Sequence, residues 1–297
     1  MKYLAQIFSN YFLICCGTIA LLITSCTQNP SVSLRISLKK SDIYRYKISI
    51  QQIIHTMGLR MKQDVQFFQT LKVQENFHDT AYRITSHIDR MVLRQFLPGV
   101  DSAKSLLFDS DNPDTSAFRF NLLSTTSKEL INKSFDMYIN YRGSIIKSDF
   151  GKILEEIIPT RKDIMPSLNN RMARDEKFEQ FVAILPKDPV AEGSRYKEKR
   201  LTKLGTFYPL STTTEYHVKK ILPQEVVLDY KTEFFNADSA QVPFVFSGSN
   251  IGSIRLDRSS LLAIENSYTQ KVTMDLNIFG FPTTVSVLSN ILVSRIP

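Results

Sequence analysis

The chain has 297 residues, a formal net charge of +8, 43% hydrophobic and 11% aromatic residues, and 20 Phe and 12 Tyr with no Trp. That is enough apolar material for one large domain or two small ones, and it excludes a disordered or fibrous chain. All three cysteines (Cys15, Cys16, Cys26) lie near the start, which leaves the body without a thiol nucleophile, disulfide or cysteine metal site, as suits an oxidising compartment.

Met1 and Lys2 make a short positive n-region, and Leu13 to Ile23 is almost wholly apolar. About 11 apolar residues suit a signal-peptide core and fall short of the ~20 that a membrane-spanning helix needs. Ile23-Thr24-Ser25-Cys26 reads as a bacterial lipobox: an aliphatic residue, two small residues that a signal peptidase accepts, then cysteine. Residues 1–25 are therefore expected to be removed and Cys26 to become the acylated N-terminus. Each buried methylene contributes about 0.8 kcal/mol, so two or three chains hold a protein at the membrane lastingly. Residues 27–32 form a short polar tether without an acidic cluster, from which we expect attachment to the outer membrane facing the periplasm, with the cell surface as the alternative. The basic excess is scattered, densest at Lys39-Lys40 and over Arg195-Tyr196-Lys197-Glu198-Lys199-Arg200. It reads as solvated strand faces and not as a nucleic-acid site.

Residues 33–149 alternate in the β manner. Leu34, Ile36 and Leu38 share a face, as do Tyr44, Tyr46, Ile48 and Ile50, with Lys39-Lys40-Ser41-Asp42 as the turn between them. Period-two runs continue over Val65–Val73 and Tyr82–Val92, separated by turns at Met57-Gly58 and residues 75–79. Residues 108–114 form a loop, 116–132 a helix, and Phe135, Met137, Ile139 and Tyr141 alternate again before a turn at Tyr141-Arg142-Gly143-Ser144. Residues 150–186 read as helical: Phe150, Ile153, Leu154, Ile157 and Ile158 have the spacing of one apolar helix face, ended by Pro159, and Phe178, Phe181, Val182 and Leu185 suggest a second helix. Residues 187–297 return to strands at 194–204, 213–221, 225–235, 244–246, 252–257, 261–279 and 282–296, with turns at Leu222-Pro223-Gln224, Ser247-Gly248-Ser249-Asn250 and Phe279-Gly280. The expected fold is mainly β (β-rich α+β): long antiparallel strands in two related, curved sheets with a helical segment between them.

Three stretches carry a resemblance. They are Pro186-Lys187-Asp188-Pro189-Val190-Ala191-Glu192-Gly193-Ser194-Arg195-Tyr196, the run from Ser247 through Gly252 to Asp257, and Leu38-Lys39-Lys40-Ser41-Asp42-Ile43-Tyr44-Arg45-Tyr46. The chain resembles a family of uncharacterised Bacteroidota lipoproteins that carry a domain of unknown function, in which a Pro-x-x-Pro-Val-x-x-Gly-x-x-Trp segment leads into the second β region. Tyr196 stands here in the place of that Trp. The resemblance implies a fold and a compartment but no chemistry.

Residues for catalysis do not assemble in the sequence. His55, His78, His87 and His217 form no closely spaced pair, and Gly-x-Ser-x-Gly and phosphate-cradling patterns are missing. Glu155-Glu156 and Asp175-Glu176 are adjacent on predicted helices, so their side chains diverge by about 100° and cannot face each other across a glycosidic bond. We expect no catalytic site, metal or cofactor, and Cys26 with its lipobox residues Ile23, Thr24 and Ser25 as the only assignable site. The reading is a lipid-anchored, non-enzymatic binding or structural protein of the envelope, with the membrane as one partner and a hydrophobic ligand or envelope protein as another. Alternatives are carriage of a lipid or other hydrophobic ligand in a concave sheet lined by Phe67, Phe68, Phe77, Phe96, Phe207, Tyr208, Phe234, Phe235, Phe244, Phe246, Phe279 and Phe281, and a hydrolase assembled from distant residues. The carrier requires a continuous apolar cavity of several hundred Å³. A transmembrane β-barrel is disfavoured by the lipobox, by the helical middle expected from Phe150 to Leu185 and by the Ile296-Pro297 ending.

Overall fold

Where apolar and polar residues alternate, the backbone is extended and paired. A computed structural model describes residues 31–96, 106–112, 131, 133–149, 180–204, 208–236, 245–278 and 281–297. They contain β1 (Ile43–Thr56), β2 (Leu59–Phe77), β3 (Ala81–Phe96), β4 (Leu106–Asp109), β5 (Ser134–Asn140) and β6 (Ile145–Ser148). Then follow β7 (Arg195–Leu204), β8 (Tyr208–Ile221), β9 (Glu225–Asn236), β10 (Val245–Asp257), β11 (Ala263–Ile278) and β12 (Phe281–Ile296). The hairpin between β1 and β2 turns on Met57 and Gly58, with φ of 47° and 75°, the left-handed pair that matches strand twist in a two-residue loop.

All twelve strands belong to one antiparallel sheet, ordered β6-β5-β3-β2-β1-β12-β11-β10-β9-β8-β7, with β4 beside β5 on the edge of β3. The first and last strands pair from Arg45↔Ile296 to Thr56↔Val285. This corrects the expectation of two related sheets: the β1–β12 ladder fuses both β regions into one. The helical segment expected between them is corrected as well, since no helix occurs among the described residues. Residues 150–179 lie outside the described residues, as does the helix expected over 116–132 except for Ile131. Phe181 to Leu185 are described; they form no helix, and all five are buried. Their 3–4 spacing reflected a stretch enclosed on every side, which has no polar face to give a true helical period.

The core lies at one end of the sheet. Tyr46, Ile48, Leu71, Val73, Tyr82, Ile84, Phe135, Met137 and Ile139 come from one half, and Tyr216, Val218, Val226, Leu228, Ile254, Leu256, Ile291 and Val293 from the other. Between them run two straps outside the sheet. One carries Leu34, Ile36 and Leu38, which alternate as expected but join no strand; the other is Phe181–Leu185. Fully burying side chains of this size contributes about 1.5–3 kcal/mol each.

A buried strap cannot leave its peptide groups unpaired. Val32 and Val190 exchange hydrogen bonds at 2.8 and 2.9 Å, Ile36 N–H donates to Tyr141 O at 2.8 Å, and Ala263 N–H donates to Phe181 O at 2.7 Å. Tyrosine hydroxyls add to these, two on the straps and one on Ala263. Tyr46 donates to Ala263 O (3.0 Å), Tyr82 donates to Ile36 O (2.8 Å), and Tyr216 Oη accepts from Ile184 N–H (3.3 Å). The Tyr46 ring also lies 4.5 Å from that of Phe181.

The sheet curls around these straps until its edges approach. Arg142, in the turn after β5, pairs through Nη2 with Glu198 of the opposite edge strand β7, while its Nε donates to Leu185 O at 2.8 Å. Leu185 N–H donates back to Arg142 O at 2.9 Å. Gly143, at φ +88°, has Ala183 O 2.9 Å from where a Cβ would sit, so only glycine lets this turn lie against the strap.

Replacing Arg142 by Met is expected to cost about 2 kcal/mol in urea unfolding, because Glu198 and Leu185 O lose a charged, half-buried partner. Removing Lys197 from its exposed 3.4 Å pair with Glu215 is expected to cost about 0.5 kcal/mol. Burial, and then the Asp79 carboxylate, push the Tyr82 hydroxyl up to about 12. An unfolded tyrosine loses its proton near pH 10, so stability holds below about pH 10 and falls as pH rises toward about 12. Tyr82→Phe should lower stability at neutral pH by about 1–2 kcal/mol and make the alkaline decline shallower, read from unfolding midpoints across that range.

Candidate functional site

Side chains alternate across a strand, so the inward face above the core can be followed from the register. Further along the strands from the core positions lies a polar belt: Gln95 (β3), Gln63 (β2), Gln52 (β1), Ser289 (β12), Gln270 (β11), Asn250 (β10), Thr232 (β9), Thr214 (β8) and Glu198 (β7), each directly opposite the next. Thr214, Thr232 and Ser289 are buried, and the amides are half-buried. Gln52 donates to Ser289 Oγ at 3.1 Å, and the Thr214 and Thr232 hydroxyls share a 3.0 Å hydrogen bond. Glu198 closes the belt on Arg142. The Asn250 Oδ1 atom is buried without a partner among the described residues.

Below the belt runs a row of tyrosines. Tyr196 and Tyr216 stack with ring centres 4.9 Å apart, Tyr216 and Tyr230 lie 6.0 Å apart, and Tyr230 and Tyr268 6.3 Å. Burial raises the ionisation of Tyr196 and Tyr230 far above the usual range, so both stay neutral. Tyr230 donates to Asn266 Oδ1 at 2.9 Å, and Asn266 Nδ2 donates to Gln180 O of the strap at 3.1 Å. Above the belt, Phe234 and Phe246 stack at 5.6 Å with Val272 and Met274 against them. The interior is thus apolar at one end, polar at mid-height and apolar again above.

The packing on either side of the belt depends on Gly252 and on Gly248, four residues before it. A Cβ on Gly252 would fall 2.4 Å from both Ser267 O and Tyr268 Cβ, and one on Gly248 would fall 2.3 Å from the Phe234 ring. The sequence 247–250 was expected to be a turn. It lies instead inside β10, where Gly248 makes room for the Phe234 ring and Gly252 for the close-lying backbone of β11.

Between tyrosines and belt is a cavity of about 100 Å³, partly open to solvent. Gln180, Thr212, Thr214, Thr232, Asn250, Asn266 and Gln270 line it alongside Tyr216, Tyr230, Tyr268, Phe234 and Arg200. A hollow of about 500 Å³ lies over β10 to β12 and β1, with the exposed Ile251 and Leu292 at its wall. It is shallow and would cover a ligand on one side only.

Cys26 and the lipobox residues Ile23, Thr24 and Ser25 lie outside the described residues. The four histidines are not brought together: His55 and His78 are exposed near hairpin ends, His217 faces outward beside Asp229, and His87 meets Ser134 Oγ at 3.2 Å and Asp89 at 3.7 Å. Among the described residues no three His, Cys, Asp or Glu side chains converge as metal ligands. Of the aromatics expected to line the concave face, Phe67, Phe234 and Phe246 point inward. Phe68 and Phe96 lie outside under Lys47 and Lys62, Phe77 and Phe235 are exposed, and Phe207, Phe244 and Phe279 are outside the described residues. The polar belt went unread in the sequence, although Gln52, Gln63, Gln95 and Gln270 each interrupt an apolar period-two run.

The outward face carries Lys47, Lys62, Asp64, Lys197, Glu215, Lys231 and Glu233 in mid-strand, in part as the cross-strand pairs Lys197–Glu215 and Lys219–Asp229. A barrel embedded in lipid needs an apolar outer band there.

A family model matches residues 79–262, more than half of the chain. The chain belongs to a family of unknown function, DUF6263. The match begins in the hairpin before β3 and ends at Leu262, so it takes in the seam, the second strap, and the tyrosines Tyr196, Tyr216 and Tyr230. No curated protein matches. Among solved structures, OccK5 (OpdH) of Pseudomonas aeruginosa aligns at 7% identity over 86% of this chain and 99% of that one, with a TM-score of 0.22. A mutant porin of Rh. blastica aligns at 8% identity over 86% and 99%, with a TM-score of 0.17. OpdK of Pseudomonas aeruginosa, solved with vanillate, aligns at 7% identity over 86% and 98%, with a TM-score of 0.18.

Gly252→Ala is expected to destabilise the protein by about 2–3 kcal/mol, since the new Cβ meets backbone that cannot turn aside. The urea midpoint reads this, and a loss below about 0.5 kcal/mol would mean that the β10–β11 contact is looser than described.

Proposed function

We propose that this protein is a lipid-anchored component of the bacterial cell envelope, held through Cys26, that works by binding a ligand inside its curled sheet and not by chemical turnover. The observation that carries the reading is the layered interior: a closed apolar end, a cavity above it, and a continuous belt of hydrogen-bonding side chains at mid-height. A sheet serving only as scaffold gains nothing from that belt, because inward polar groups cost stability unless they meet partners. The outward charges favour a body standing in water beside the membrane, and the lipobox supplies the attachment. Of the readings open from the sequence, a ligand held in a concave sheet is therefore favoured over a purely structural part.

The anchor and the binding are tested separately. Cys26→Ser is expected to abolish labelling by an alkyne fatty acid and to move the protein from the membrane to the soluble fraction; retained label would refute the lipid attachment. Native mass spectrometry of the full-length protein, released in mild detergent, is expected to show a non-covalent species beyond the acyl anchor. Apo protein alone, whatever the growth medium, would count against a ligand-holding interior.

A further inference from the structure

Resting on that reading, we infer that the ligand is a neutral sugar ring, seated against the tyrosine row with its hydroxyls on the Asn250–Gln270 section of the belt. Four observations select this class. First, the described lining offers amides and hydroxyls of both hydrogen-bonding senses: Thr212, Thr214, Thr232, Asn250, Asn266 and Gln270. Adjacent hydroxyls of a sugar both donate and accept, and so pair with such groups. Second, the one charged side chain among the described lining residues, Arg200, already has an interaction partner, so the site does not call for a charged ligand. Third, neutral tyrosine rings stand beside these groups, and an aromatic surface is the usual complement to the apolar face of a sugar ring. Fourth, Asn250 Oδ1 is a buried acceptor with no donor, a deficit that a ligand hydroxyl would remove.

The volume narrows the class. A cavity of about 100 Å³ lies well below the roughly 300–1,000 Å³ of sites that enclose a whole ligand. It admits one edge or face of a single ring, with the remainder of the molecule projecting through the open side. That describes a terminal sugar of a glycan better than an acyl chain, which needs a long apolar slot. The wall at this height is amide and hydroxyl from β3 round to β8.

The test uses the full chain in detergent micelles. Neutral mono- and disaccharides are titrated by calorimetry, and envelope glycolipids and cell-wall glycan fragments are screened by native mass spectrometry; the two arms separate a free sugar from the end of an anchored glycan. Wild type is expected to bind at least one neutral saccharide, and Asn250→Leu and Gln270→Leu to weaken it at least tenfold. Asn250→Leu should leave the unfolding midpoint unchanged or raised, since it removes an unsatisfied buried acceptor, so lost binding would not reflect lost fold. Saccharide binding that Asn250→Leu leaves intact would overturn the site. Binding of fatty acid or phospholipid with no saccharide would overturn the ligand class while preserving the cup. Failure of every probe, with only water occupying the cavity, would overturn both this inference and the cup.

Discussion

Two lengths of chain without strand pairing run through the inside of this sheet, and the structure depends on how their peptide groups are satisfied. A backbone N–H or C=O buried without a partner costs about 1–3 kcal/mol, and each strap buries several. Tyr82 and Tyr216 solve the problem by standing on the sheet with their rings in the core and their hydroxyls on strap peptides, and Tyr46 bonds Ala263 O, whose own N–H holds Phe181 O. Each ring buries apolar area and each hydroxyl replaces a missing ladder bond. A phenylalanine would supply only the first of these, a serine only the second. The abundance of tyrosine in a chain without tryptophan thus has a structural cause as well as a compositional one.

The same device shapes the interior above. Because the straps and core fill one end, the sheet must curve to enclose them, and the curvature brings Arg142 to Glu198 across the seam. The ladder of twelve strands is held closed there by a side-chain pair and by strap hydrogen bonds, whereas every other described neighbour is joined by backbone. Tyr230 extends the scheme one layer up: through Asn266 it reaches Gln180 of the second strap. The core that stabilises the fold and the polar wall of the cavity therefore share residues, so the geometry of the cavity is set by the packing beneath it.

Much of this was legible in the sequence. Period-two alternation located the long strands, and Met57-Gly58, Lys39-Lys40-Ser41-Asp42 and Tyr141-Arg142-Gly143-Ser144 turn as their composition dictates. What escaped was non-local. Nothing near Arg45 or Ile296 announces that they pair, because the β1–β12 ladder closes a loop of nearly the entire chain, and so one sheet was read as two. Leu34, Ile36 and Leu38 alternate like a strand because a strap between two apolar walls obeys the same rule as a strand with one. Phe181–Leu185 looked helical because total burial satisfies any period. Gly248 marked a turn on composition alone, and only the ring of Phe234 in the space of its absent Cβ explains it as strand. The belt was missed because each member reads, on its own strand, as an isolated polar lapse; only the register sets the nine side by side.

That alignment is what separates function from accident. A lone inward glutamine is a tolerable flaw that one serine can repair, as Ser289 does for Gln52. A row of such residues at one height on nine neighbouring strands is a different matter, because on the central strands the side chains on either side of it are apolar: Ile50 and Ile54 about Gln52, Ile291 and Val287 about Ser289, Tyr268 and Val272 about Gln270. Apolar residues at these positions would merge the lower core with the Phe234–Phe246 cluster and stabilise the sheet further. Local departures from stabilising patterns tend to collect where a protein meets its ligand. Here the departure forms a band, at the height where the cavity opens, and it includes a buried acceptor that none of the described residues satisfies. The free energy withheld from folding along that band is recovered when something with matching hydroxyls fills it.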